Sequence, residues 1–234
     1  MKKLITTSVC AVAITGAAFA QGTVNWNVLS PAAITAQTNA TVASSFGGAG
    51  TLVGSTVGAT ATAANGFYYE LLSSAYSGAQ AAVPTTAAQL AGWTATGLGA
   101  VNSATSAGKL TPLNPSTQAA VPWANGTTES VILVGWSANL GTTWASVENE
   151  IANWATVGNS INGIAFFGTS ATGYINPGTA NPGVQVFASA AGPQGLPIYS
   201  LNTQLNELAV VPEPGTLALA AIGGASLLMF RRKK

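Results

Sequence analysis

The chain has 234 residues but only seven Lys and Arg and six Asp and Glu, or 6% charged, where about a quarter is usual for a soluble domain. It contains no His and no Asp, and its single cysteine is Cys10, which excludes Ser-His-Asp triads, Cys-His nucleophiles, His/Cys zinc sites and disulfides within the chain. The basic residues crowd the two ends and leave Lys109 alone between them, so there is no basic footprint for nucleic acid.

Residues 1–20 read MKKLITTSVCAVAITGAAFA: Lys2 and Lys3, an apolar stretch from Leu4 to Ile14, then Ala18-Phe19-Ala20. Ala18 and Ala20 are the small residues at the −3 and −1 positions of a cut before Gln21. This order of charge, apolar run and small-residue site predicts a secretory signal peptide, a helix removed by signal peptidase. Cys10 sits inside the apolar run rather than after it, which argues against lipidation there.

The segment 21–210 is rich in Ala, Thr, Gly, Ser and Asn and holds nine of the 11 prolines. Its five glutamates, Glu70, Glu129, Glu148, Glu150 and Glu207, face only Lys109, a net charge of −4. Short runs of β-branched, aromatic or Leu residues bounded by Gly, Pro, Asn or Ser predict strands at 22–29, 66–72, 130–137, 161–167, 183–188 and 205–211. Val131-Ile132-Leu133-Val134 is continuously apolar, which suits a strand buried on both faces. Residues 31–65 and 73–122 carry few large side chains and are expected to form loops with irregular strands, among them the stretch 50–58.

One segment breaks the β pattern. In residues 143–157, Trp144, Val147, Ile151 and Trp154 are spaced three, four and three apart, on one face of a short amphipathic helix. Gly158 and Asn159 offer its stop, and the helix is expected to serve as a crossover between the strands on either side. The fold class expected is therefore mostly β, sandwich-like or jelly-roll-like, with one short helix. A period of 20 to 50 residues, the mark of a solenoid, is missing from the sequence.

At the C-terminus, Val211-Pro212-Glu213-Pro214 precedes an apolar run from Gly215 to Phe230 and the cluster Arg231-Arg232-Lys233-Lys234. At about 1.5 Å per residue the run at 215–230 makes a helix of roughly 24 Å, close to the hydrocarbon core of a bilayer once flanking cations snorkel. The prolines start that helix at or after Pro214, and the basic tail belongs on the cytoplasmic side. A Pro-Glu-Pro triplet, a short Gly-containing apolar helix and a basic end, in this order at the end of the chain, resemble the PEP-CTERM sorting signal of Gram-negative bacteria, also called an ice-binding-protein C-terminal domain. The resemblance implies recognition by an exosortase, cleavage near Pro212 to Pro214, and release or transfer to the cell surface. Gly22-Thr23-Val24-Asn25-Trp26 resembles the start of the mature part of such exported proteins and adds no function.

The three regions expected are thus a signal peptide at 1–20, a secreted β-rich domain at 21–210 and a sorting signal at 211–234. In the secreted part, Glu148 and Glu150 are two apart on a helix and do not face each other; they read as a solvated face. Glu70 and Glu129 lie on or beside predicted strands and form a candidate pair to flank a glycosidic bond as acid and base or nucleophile. Of the six tryptophans, Trp123 follows Pro122 and precedes Asn125-Gly126, an expected loop, and is the candidate glycan contact; Trp144 and Trp154 are the expected core. Thr60 with Thr62 and Thr94 with Thr96 are isolated pairs, short of the regular Thr array that an ice-matching face needs. Asn39-Ala40-Thr41 and Asn125-Gly126-Thr127 match the glycosylation acceptor pattern, which is short enough to arise by chance.

The expectation is a non-enzymatic, cofactor-free protein of the cell surface or extracellular matrix, held in the inner membrane in transit. Its expected partners are signal peptidase and an exosortase during export, then exopolysaccharide of a biofilm matrix. The competing classes are a carbohydrate-binding module and, behind it, a glycoside hydrolase or an ice-binding protein.

Overall fold

The structure, a computed structural model, describes residues 21–27, 35–43, 55–56, 66–154, 161, 164–188, 192–198 and 202–208, and these are mostly β. In chain order the strands are β1 (Gln21–Asn25), β2 (Thr35–Ala43), β3 (Ser55–Thr56), β4 (Phe67–Ala75), β5 (Thr94–Asn102), β6 (Leu110–Pro112), β7 (Ala119–Ala124), β8 (Glu129–Ser137), β9 (Phe166–Ile175), β10 (Val184–Gln185), β11 (Gly195–Leu196) and β12 (Asn202–Leu208). Among the described residues two α-helices interrupt them, the single turn α1 (Ala87–Leu90) and α2 (Trp144–Ala152), together with a 3-10 turn at Ala138–Leu140. The expected signal peptide at 1–20, the apolar run at 215–230 and the basic tail fall outside the described residues. Among the described residues no helix is long and apolar enough to cross a membrane.

The strands form two sheets. The larger runs β3-β2-β12-β9-β8-β4-β5-β6, with β11 added to β9, and the smaller runs β10-β1-β7. At the centre, β8 is antiparallel to both β4 and β9. Its apolar run serves both faces: Val131 and Leu133 join Val24, Trp26, Val121 and Trp123 of the small-sheet side in one core, while Ile132, Val134 and Trp136 join Trp144, Val147 and Ile151 of α2 in another. Alternation of side chains along a strand makes this division automatic. The expectation that 131–134 is buried on both faces is met.

The helix face is likewise as expected: Trp144, Val147 and Ile151 are buried, and Trp154 packs half-buried against the same core. Trp136 fixes the entry to the helix, its indole N–H donating to the Gly141 carbonyl at 2.8 Å. The helix is not a crossover, however. It links β8 to β9, which are antiparallel neighbours, so the chain leaves the sheet, covers one face and returns beside the strand it left. Its end is Asn153, whose side chain donates to the Asn149 carbonyl at 2.9 Å; residues 158 and 159 lie outside the described residues.

Other strands depart from their expected bounds for local reasons. β9 begins at Phe166, near the end of the segment expected at 161–167, and continues through small polar residues to Ile175. The sheet compels this: Gly168 to Gly173 pair with β8, and a bulge opposite Leu133 is filled by Ser170, whose hydroxyl accepts from the Leu133 N–H at 3.0 Å. β5, in a region expected to be loops, is a nine-residue strand with buried Leu98, Ala100, Val101 and Asn102. The segment expected at 183–188 is a two-residue strand parallel to β1, and β12 runs parallel to β2.

Candidate functional site

Glu70 lies in β4 on the face that α2 covers. Its Oε1 accepts from the Gly97 N–H at 2.8 Å. Gly97, at φ +80°, occupies a bulge where the β4–β5 register slips between Glu70 and Leu72, and the left-handed conformation there favours glycine. Thr96 locks the bulge, donating to the Leu71 carbonyl at 2.8 Å. Around the carboxyl is a recess of about 350 Å³ lined by Gly97, Gly99, Leu113, Thr143 and Trp144. Burial pushes the Glu70 pKa up to about 7, opposed by the Gly97 hydrogen bond.

Glu129 opens elsewhere. It shares a recess of about 270 Å³ with Pro122, Trp123 and Thr94, and partial burial raises its pKa. In the β4–β8 ladder Glu70 is opposite Val134 and Glu129 is opposite Ala75. The two residues are therefore five steps apart along the ladder, about 17 Å of strand, and on opposite faces of the sheet. Acid and base or nucleophile in glycoside hydrolysis stand roughly 5 to 10 Å apart on one cleft, so the structure does not bring this pair together. Glu148 and Glu150 are half-buried on α2 rather than fully solvated, and Glu150 Oε2 is buried without a hydrogen-bond partner.

Trp123 is not in an exposed loop. It occupies β7, where Ala119, Val121 and Trp123 point inward and Ala120, Pro122 and Ala124 outward, and it is 8% exposed with its indole N–H unpartnered. Pro122 is tolerated because β7 is the edge of the smaller sheet. A turn at Asn125-Gly126 follows it, closed by the Thr127 N–H donating to the Ala124 carbonyl at 3.1 Å, and the Gly126 N–H donates to the Pro177 carbonyl at 3.0 Å. Trp123 thus lines the recess beside Glu129 as a buried core side chain, 8% exposed. Trp26, Trp93, Trp136 and Trp144 are buried as well. Thr96 spends its hydroxyl on the bulge, and Thr60 and Thr62 lie outside the described residues.

A third recess was not anticipated. The end of β4, the start of β8 and the end of β9 coincide in the antiparallel ladder, as Ala75 pairs with Glu129 and Glu129 with Ile175. There Tyr76 and Tyr174 meet with ring centroids 4.7 Å apart and planes at 32°. With Thr128, Asn176 and Gln194 they line about 380 Å³. The turn at 192–195 walls one side, held by the Asn176 N–H donating to the Gln194 carbonyl at 2.8 Å. Partial burial, and then the charge and hydroxyl of Tyr174, raise the Tyr76 pKa. Tyr76 was visible in the sequence only as an isolated aromatic, and nothing local pairs it with Tyr174; the strand register does. Among the described residues no three metal-ligating side chains cluster.

Of the residues named from the sequence as sorting and processing signals, Gln21 alone is described, as the first residue of β1, paired with Ala124. Ala18, Ala20, Val211, Pro212, Glu213, Pro214 and the tail Arg231 to Lys234 are outside the described residues. That end of the chain is identified by comparison instead: the family model of the PEP-CTERM protein-sorting motif matches residues 210–233. The chain carries this motif at its C-terminus, which makes it an exported protein sorted by an exosortase. No curated protein and no solved structure matches the chain.

Proposed function

We propose that the β-rich domain at 21–210 is a non-enzymatic structural or adhesive component of an exopolysaccharide or biofilm matrix, delivered to the cell surface or beyond. The observation that carries this reading is the sorting motif at 210–233. In transit the apolar run at 215–230 spans the inner membrane with the basic tail in the cytoplasm. Signal peptidase cuts before Gln21, and the exosortase cuts near Pro212 to Pro214. The described residues are mostly β, with two sheets contributing to one core, and the low charge is compatible with a domain that lives in a matrix. The separation of Glu70 from Glu129 supports a non-hydrolytic role for that pair.

Intact mass and terminal peptide mapping of the endogenous protein from cell-surface and culture fractions test the reading. A chain beginning at Gln21 and ending near Pro212 is expected. Retention of Phe230 to Lys234 in the surface fraction would make the protein a plain membrane-anchored one and remove the exosortase step.

A further inference from the structure

We propose that the recess of Tyr76 and Tyr174 is a binding site for a neutral glycan chain; the proposal rests on the export reading above and names the partner chemistry of the exported domain. Its lining contains two phenols, a hydroxyl from Thr128, amides from Asn176 and Gln194, and glycine and proline, with no charged side chain. An ionic ligand would find no counter-charge there. A flat aromatic ligand would find no slot, because the two rings already touch each other at 4.7 Å. A hydroxyl-rich ligand with C–H faces fits both features: aromatic surface for the ring C–H groups, and amides and hydroxyls that both donate and accept for its OH groups.

The recess is also built rather than incidental. Tyr174 is held on both sides, by Ser130 of β8 and Leu196 of β11. The segment after Tyr76 is pinned across the same sheet face, where Gln80 donates to the Thr172 carbonyl at 2.7 Å and Thr172 donates to the Ala81 carbonyl at 2.5 Å. The aromatic pair is thus fixed before a ligand arrives, which lowers the ordering cost of binding. Its volume, about 380 Å³, lies within the range of small-ligand sites.

The test is calorimetric titration of the full chain, in a detergent without a sugar headgroup, with neutral gluco-, galacto- and manno-hexasaccharides and with an alginate hexamer as the anionic contrast. Saturable binding of at least one neutral hexasaccharide is expected. Y76A and Q194A should each weaken it about tenfold, with Y76F close to wild type because the ring remains. Tyr76 lies beyond the end of β4 and Gln194 is exposed, so both variants should keep the wild-type circular dichroism. Binding of alginate alone, neutral binding unchanged in both alanine variants, or no neutral binding below about 10 mM each overturns the site. A chain correctly processed in cells that fails this titration loses the site and keeps its sorting; one that binds here but retains Phe230 to Lys234 loses the sorting step and keeps the site.

Discussion

Glu70 is the residue whose chemistry the fold changes most. Burial raises its pKa from 4.5 to about 7, so between those values the folded chain keeps a proton that the unfolded chain releases. The unfolded state then binds fewer protons, and stability falls as pH rises through that interval, being fully present below about 4.5 and flat above about 7. Discounted for partial solvent access, the loss is on the order of 1 to 2 kcal/mol. E70Q, neutral throughout, should shrink the difference between urea midpoints at pH 4.5 and 7.5, followed by tryptophan fluorescence, leaving the smaller part that Glu129, whose pKa partial burial also raises, contributes with the same sign. A midpoint that still drops by the wild-type amount would mean that the carboxyl is ionised in the fold. Trp123 gives a second prediction at this scale. Because its ring is buried and its N–H is unpartnered, W123F should shift stability by less than about 1.5 kcal/mol, whereas W123A should cost roughly 3 to 5 kcal/mol. Reading Trp123 as exposed put weight on the neighbouring Asn125-Gly126 turn; the alternation of Ala119, Val121 and Trp123 was the better signal, weakened by alanines that look alike on either face.

At the scale of elements, what could be read in one dimension was what large side chains write. The run at 131–134 and the helical spacing of Trp144, Val147 and Ile151 each carry their own period, and both elements are where they were expected. β5 and most of β9 are built from Ala, Gly, Ser and Thr, whose strand character comes from neighbours: β5 is held by β4 and β6, and β9 by β8, β11 and β12. Small residues are required there by close approach. A Cβ on Gly173 would stand 2.6 Å from the Leu196 carbonyl oxygen and 2.8 Å from the Ile198 nitrogen, backbone atoms that cannot swing away. G173A should therefore destabilise by about 1 to 3 kcal/mol as overpacking. S170A, which leaves the buried Leu133 N–H inside the bulge without its acceptor, should cost about as much. Both are measured as a lower urea midpoint at unchanged slope; a shift of a few tenths would mean that the bulge or the crossing segment relaxes.

Over the whole molecule, the first and last described strands lie next to the processing sites proposed above. β1 starts at Gln21, the first residue after the expected signal-peptide cut, and contributes Val24 to the core between the sheets. β12 ends at Leu208, two residues before the matched sorting motif, and it is interior: it pairs with β2 along seven positions and with β9 on its other side. Removing it would leave β2 and β3 without their connection to the rest of the larger sheet, exposing backbone donors and acceptors on two strands at once. From Leu208 to Pro212 are four residues, at most about 14 Å of extended chain, so a cut near Pro212 to Pro214 comes after the last described strand. A chain ended after Val211 should therefore unfold in urea with the same midpoint, within about 0.5 kcal/mol, as the full chain in the same detergent. One ended after Leu201, which lacks β12 alone of the described strands, should lose the cooperative transition and become protease-sensitive between β2 and β4 first. Equal stability of the two truncations would mean that β12 is an appendage rather than an interior strand, and the larger sheet would then have to close without it.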